Sequence, residues 1–151
     1  MKVFRLCKQK FSTDLSGKGA RENGGRWNSA GIPLLYTSSS RALCLAEMAV
    51  HGALNQMAND YCMLTIELPL KFSQREMSYK DLPEDWRRFP VPFSTQKIGD
   101  EFVLSRTDLV FKVPSVLIPE EFNFLLNPLH KDFTKVKIEK VKSFVIDERF
   151  F

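Results

Sequence analysis

The sequence predicts an α+β domain: a mixed sheet of short strands with a central buried helix. Three observations lead there. Short apolar runs recur along the chain, each closed by Pro, Gly, Ser or Asn. One segment, residues 41–57, carries a long apolar stripe at helical spacing. Strand-like and helix-like segments do not alternate regularly, which argues against a doubly wound parallel sheet. The 151 residues suit a single domain spanning 1–151, with no repeat, low-complexity tract or linker inside it.

The elements follow in order. Residues 2–6 read as an opening strand. Residues 11–28 are rich in Gly, Ser, Lys and Asn and read as one long loop. Residues 32–37 form a strand that runs into Ser38-Ser39-Ser40, a good supply of helix N-caps. In the helix that follows, Leu43, Ala46, Val50, Ala53, Leu54 and Met57 make the stripe, and Ala42, Leu45 and Ala49 widen it. Little of that surface suits water, so the helix is expected to be buried. Residues 61–68 read as a strand closed by Pro69, 82–92 as a helical turn with irregular chain, and 95–105 as a second helix. Residues 109–113 and 116–118 are β-like runs broken by Pro114 and Pro119, which favours an edge or a bend. Phe122–Leu126 is a strand ended by Asn127-Pro128. Residues 135–141 alternate apolar residues with lysines, as the solvated face of an edge strand does, and 144–146 form a last strand.

Composition narrows the function classes. The formal charge is +4 and the sequence pI about 9.0. That suits an anionic ligand without demanding nucleic acid. Thirteen Phe supply aromatic area for a core or a partner surface. Cys7, Cys44 and Cys62 are odd in number and widely spaced, which fits reduced thiols rather than a disulfide framework or a metal knuckle. Met1-Lys2-Val3-Phe4-Arg5 runs straight into charge without the apolar stretch of a signal peptide, and no apolar run reaches membrane-spanning length. A cytoplasmic location is expected.

Four polar residues stand out among the apolar stretches. Arg26 follows two glycines, which let the backbone come close to a ligand, and its planar fork suits phosphate oxygens. The surrounding Gly24-Gly25-Arg26-Trp27-Asn28 is neither a P-loop nor a dinucleotide fingerprint. Tyr36 ends a strand, where its ring could stack on a base or simply fill the core. Glu47 sits among Ala46, Met48, Ala49 and Val50. A carboxylate there is either an exposed helix-edge residue or one used to bind a ribose and stabilise an oxocarbenium-like transition state. Ser115 lies between Pro114 and Val116 without a nucleophile elbow, so it is expected to donate hydrogen bonds rather than attack. His51, four residues after Glu47, has no visible third ligand, so no metal is expected. His130 follows a turn and either lines a pocket or is solvated.

Taken in order, these motifs resemble the RES domain, the toxin half of bacterial RES–Xre toxin–antitoxin pairs. The matching pieces are Phe4-Arg5, Gly17-x-Gly19, Gly24-Gly25-Arg26-Trp27-Asn28, Leu35-Tyr36-Thr37-Ser38 and Ala42-Leu43-x-Leu45-Ala46-Glu47. Ile98-Gly99-Asp100, Val113-Pro114-Ser115, the stretch 123–128 with His130, and the ending Phe144-Val145-Ile146-Asp147-Glu148-Arg149 complete the series. The family's eponymous Arg, Glu and Ser map onto Arg26, Glu47 and Ser115. The resemblance implies a fold similar to ADP-ribosyltransferase toxins and cleavage of the nicotinamide–ribose bond of NAD+, by hydrolysis or phosphorolysis. NAD+ would be the substrate and phosphate a co-substrate in the second case, with no further cofactor. It also implies a cognate Xre-type antitoxin that joins the chain in a hetero-oligomer and covers its cleft, with DNA contacted only through that partner. The implied roles are Arg26, helped by Arg5, on phosphate; Glu47 on the ribose; Tyr36 packed against nicotinamide or ribose; and Ser115 and Asn127 bonding ligand or water. An ADP-ribosyltransferase acting on a macromolecule would use the same residues. A basic nucleic-acid-binding module is the reading from another class, resting on the pI and the lysines of 131–142.

Overall fold

A computed structural model describes residues 1–51 and 60–150. Seven strands form one sheet: β1 (Lys2–Lys8), β2 (Leu35–Ser38), β3 (Tyr61–Glu67), β4 (Gln74–Glu76), β5 (Val110–Pro114), β6 (Phe122–Leu126) and β7 (Lys137–Phe144). Their order is β4-β5-β6-β2-β1-β3-β7. All neighbours pair antiparallel except β4 and β5, which are parallel, so the sheet is mixed. Among the described residues three α-helices accompany it: α1 (Lys18–Asn23), α2 (Arg41–Ala49) and α3 (Phe93–Ser105).

Strand alternation sorts the core into two faces. Val3, Cys7, Leu35, Leu64, Ile66, Val110 and Leu126 point to one side, covered by Leu15, Phe72 and Phe133. The other side carries two clusters. Phe111, Val113 and Leu125 pack with Phe102 and Val103 of α3 and with Trp27. Leu6, Tyr61 and Met63 pack with Cys44 of α2. The two helices therefore sit on the same face, over different strands, and leave a gap above β2 and β6. Each fully buried Leu or Phe contributes about 1.5–3 kcal/mol relative to exposure.

The α+β class and the central helix match the sequence reading, with local differences. The serine cluster caps α2: the Ser40 side chain accepts from the Leu43 amide. The helix is less covered than its stripe predicts. Leu43 and Cys44 are buried, most of the rest is half-buried, and Val50 is 60 % exposed. It lies across strands β1 and β2 with one side open to the gap, so its wide apolar surface borders a cavity rather than a core. The predicted continuation through Ala53, Leu54 and Met57 lies outside the described residues.

The stretch 11–28 is not one loop. It contains α1, framed by two glycines in the left-handed region, Gly17 at φ +73° and Gly24 at φ +71°. Residues 116–118 form bends rather than a strand, because the chain turns after Pro114 to start β6. In place of the two segments expected at 135–141 and 144–146 there is one strand, β7, which ends at Phe144 and leaves 145–146 outside it; it lies at the sheet edge as its lysines predict. β4 was not visible in the sequence: its Gln-Arg-Glu has no apolar alternation.

Candidate active site

The pairing of β2 with β6 sets Tyr36 opposite Leu125 and Ser38 opposite Asn123. Tyr36, Asn123 and Leu125 all border the gap between the helices, and Glu47 reaches it from the last turn of α2. The Glu47 carboxylate is tethered through one oxygen. Its Oε1 accepts from Ser115 Oγ at 2.9 Å and from Asn123 Nδ2 at 2.7 Å. Asn123 Oδ1 in turn accepts from Ser38 Oγ at 2.8 Å. Among the described residues no Lys, Arg or His nitrogen lies within ion-pair distance of Glu47. Its Oε1 is held by neutral donors.

Arg26 stands on a tight turn whose every corner is fastened. The Gly25 amide donates to the Asn28 carbonyl at 2.9 Å. Asn28 is fully buried; its Nδ2 donates to the carbonyls of Ala20, Ser29 and Ile32. Tyr36 Oη donates to Asn28 Oδ1 at 2.7 Å and accepts from the Trp27 amide at 3.0 Å. Asp100 of α3 accepts from both the amide and the hydroxyl of Ser29. Glycine is required at two contacts. A Cβ on Gly25 would come within 2.7 Å of Tyr36 Oη, and one on Gly99 of α3 would overlap the Trp27 carbonyl. From this turn the guanidinium Nη1 donates to the carbonyls of Trp86 at 2.6 Å and Arg88 at 3.0 Å. Burial lowers the Arg26 pKa from its ordinary value, and Glu47 and Tyr36 oppose that shift. Burial also pushes the Tyr36 phenol above its usual range.

Arg26, Trp27, Tyr36, Glu47 and Asn123 line one cavity of about 910 Å3, together with Phe89, Val91 and Gln96. A second cavity of about 220 Å3 adjoins it, lined by Arg5, Phe4, Ser38 and Cys44, and shares Tyr36, Glu47, Met48, His51 and Asn123 with the first. The larger volume is in the range of sites that enclose a whole small-molecule ligand.

The structure thus gathers Arg26, Tyr36 and Glu47 around one space, from a loop, a strand and a helix. Arg5 lines only the smaller cavity, and its Nη1 donates to the Asp14 carbonyl at 2.8 Å. Ser115 is fully buried, so its hydroxyl meets Glu47 rather than a ligand. Asn127 does not reach either cavity. It too is fully buried; Nδ2 donates to the Val103 carbonyl at 3.0 Å, and Oδ1 accepts from the Leu129 amide. It ties the C-terminal turn of α3 to the β6 exit, a structural duty that its Asn-Pro context conceals. The Tyr36 hydroxyl is likewise spent on Asn28 and Trp27, which leaves the ring to the cavity. His130 is buried and caps a 3-10 turn through Nδ1, while His51 is exposed at the rim. Asn123 and Ser38 were missed as site residues. The available signal was an amide in the middle of the apolar run Phe122-Asn123-Phe124, where burial demands a partner.

Residues 2–150 match the family described as RES domain. A Sphingobium protein named Prs ADP-ribosylating toxin is 36% identical over 138 residues, covering 90% of this chain and 86% of its own. A Photorhabdus laumondii protein named Toxin Res is 35% identical over 155 residues, covering 99% and 96%. A solved structure described as the M. tuberculosis MbcT-MbcA toxin-antitoxin complex aligns with a TM-score of 0.76 at 17% identity, covering 95% of this chain and 84% of the other. At that identity the likeness is one of fold.

Proposed function

The chain belongs to the RES domain family, and from that membership we propose that it is the toxin of a toxin–antitoxin pair and cleaves the nicotinamide–ribose bond of NAD+. The observation that carries the reading is Glu47: a carboxylate fixed by neutral donors at the edge of a dinucleotide-sized cavity that also holds Arg26. Nicotinamide leaves NAD+ as a neutral ring that takes the bonding electron pair, so no strong general acid is needed. The work is to hold the diphosphate and stabilise positive charge on the ribose as the bond opens. Arg26 takes the diphosphate with the guanidinium edge not used by Trp86 and Arg88. Glu47 faces the ribose, bonds its hydroxyls and stabilises the oxocarbenium. The Tyr36 ring packs against the sugar or the leaving group. The acceptor oxygen, from water or inorganic phosphate, attacks C1′.

The test is to incubate purified protein with NAD+, with and without phosphate, and resolve the products. Nicotinamide release is expected. Its absence under both conditions would sink the reading; ADP-ribose or its 1″-phosphate would identify the acceptor. A second reading is favoured by the Sphingobium relative named as an ADP-ribosylating toxin: the same residues would pass ADP-ribose to a macromolecule. Labelled ADP-ribose appearing on protein or nucleic acid rather than free in solution would select it. An Xre-type antitoxin seated over the cleft is part of the proposal, and the shared fold with a chain from a toxin–antitoxin complex supports it.

A further inference from the structure

Resting on that reading, we propose that Asn123, supported by Ser38, is a positioning residue that works with Ser115 to dictate which oxygen of Glu47 meets the ribose. The hydrogen bonds around Glu47 run in one direction only. Ser115 Oγ accepts from the amides of Leu117 at 3.1 Å and Ile118 at 3.2 Å, so its single proton is left to donate to Glu47 Oε1. Asn123 Oδ1 accepts from Ser38 Oγ, so Nδ2 turns toward the same oxygen. A flipped amide would set Oδ1 against a carboxylate and Nδ2 against the hydroxyl that now donates to Oδ1. The carboxylate therefore selects the orientation of Asn123, and the Ser38 hydroxyl completes it by donating to the oxygen that this orientation turns toward it.

Two donors on one oxygen fill its lone pairs. Oε2 has no hydrogen-bond partner among the described residues, and it is the oxygen left to address a ligand. The terminal torsion of a glutamate is otherwise soft and nearly two-fold. Without this pair the carboxylate would swap its oxygens and swing away from the ribose. The arrangement spans three separate segments: Ser38 ends β2, Asn123 lies in β6, and Ser115 follows β5. Antiparallel pairing of β2 with β6 and of β6 with β5 keeps them in register. Ser38 and Asn123 also line the smaller cavity, where the Ser38 hydroxyl is turned to Asn123 and the Asn123 Nδ2 to Glu47.

The test compares Asn123→Asp, Ser38→Ala and Ser38→Thr in the full chain. Asn123→Asp keeps the shape, loses the donor and is expected to lower kcat for nicotinamide release about 100-fold, with KM for NAD+ within about threefold. Ser38→Ala leaves Asn123 Oδ1 without its donor and loosens the amide, and is expected to lower kcat about fivefold; Ser38→Thr, which restores a hydroxyl, should recover most of that loss. A change confined to KM, or no recovery with threonine in a protein that melts like wild type, would overturn the assignment. A second readout needs no activity. In a 1H–15N spectrum one side-chain amide proton of Asn123 should lie downfield in the wild type and move upfield in Glu47→Ala and Ser38→Ala. An Asn123 signal indifferent to both substitutions overturns the relay. A wild-type chain that releases no nicotinamide overturns the function instead and leaves the spectrum to decide the relay.

Discussion

Glu47 and Arg26 border one cavity, yet they are held by opposite chemistries. The carboxylate is gripped by side chains: Ser115 and Asn123 directly, Ser38 through Asn123. The guanidinium is gripped by main-chain carbonyls of Trp86 and Arg88. Its turn is held by Asn28, Tyr36, Asp100 and two close-packed glycines. The carboxylate side is thus specified by residue identity and can fail without loss of the fold. The cation side is specified by backbone path, through the carbonyls of 86 and 88, and fails together with the packing beneath it.

The comparison is sharpest where the charge itself is removed. Glu47→Gln keeps an acceptor for Ser115 and Asn123 but cannot stabilise a ribosyl cation, and is expected to cost about 10³-fold in nicotinamide release with an unchanged far-ultraviolet spectrum. Arg26→Ala should act on binding and on the 86–88 segment together, raising KM for NAD+ by about 10- to 100-fold in steady-state assays. Arg26→Lys should not recover it, because an ammonium lacks the planar fork that spans carbonyl and phosphate at once. Full recovery with lysine would break the contrast.

Stability tests run the other way. Gly99→Ala forces a methyl into the Trp27 carbonyl and is expected to destabilise by about 1–3 kcal/mol or more, read as a lowered Tm. The damage should fall on the Arg26 turn, which rests on Trp27. The carboxylate side carries the smallest effect, a pH signature. Burial pushes the Cys44 thiol from 9.0 up to about 11, so the folded chain keeps it protonated while the unfolded chain ionises. That contribution is whole below pH 9 and is lost as pH rises toward about 11. Cys44→Ala should flatten the fall in Tm between those values. A fall equally steep in the variant would assign it to other groups, such as Cys7, also buried and pushed up to about 12.

Legibility in the sequence followed the same divide. Elements with a clear apolar period, such as β3, β6 and α3, appeared within a residue or two of their bounds. Glycine-rich chain hid α1, because six residues of Lys, Gly, Ala, Arg, Glu and Asn have no apolar stripe and are fixed by what surrounds them. Arg26, Tyr36 and Glu47 were legible as a set only through the family resemblance, since nothing local says that a loop, a strand end and a helix converge. Ser115 and Asn127 read alike, as polar residues beside proline, yet one holds the carboxylate and the other ties α3 to the exit of β6. That distinction depends on which neighbours a buried group finds, and those neighbours come from distant strands.

One detail of α2 carries a further consequence. Glu47 sits in the final turn of α2, the end at which a helix dipole places negative charge. A carboxylate at that end runs against the helix dipole by about 0.3–1 kcal/mol. Function and thermal endurance are therefore opposed at this single position. Neutralising it as Gln should yield a protein that is catalytically dead but melts higher than the parent.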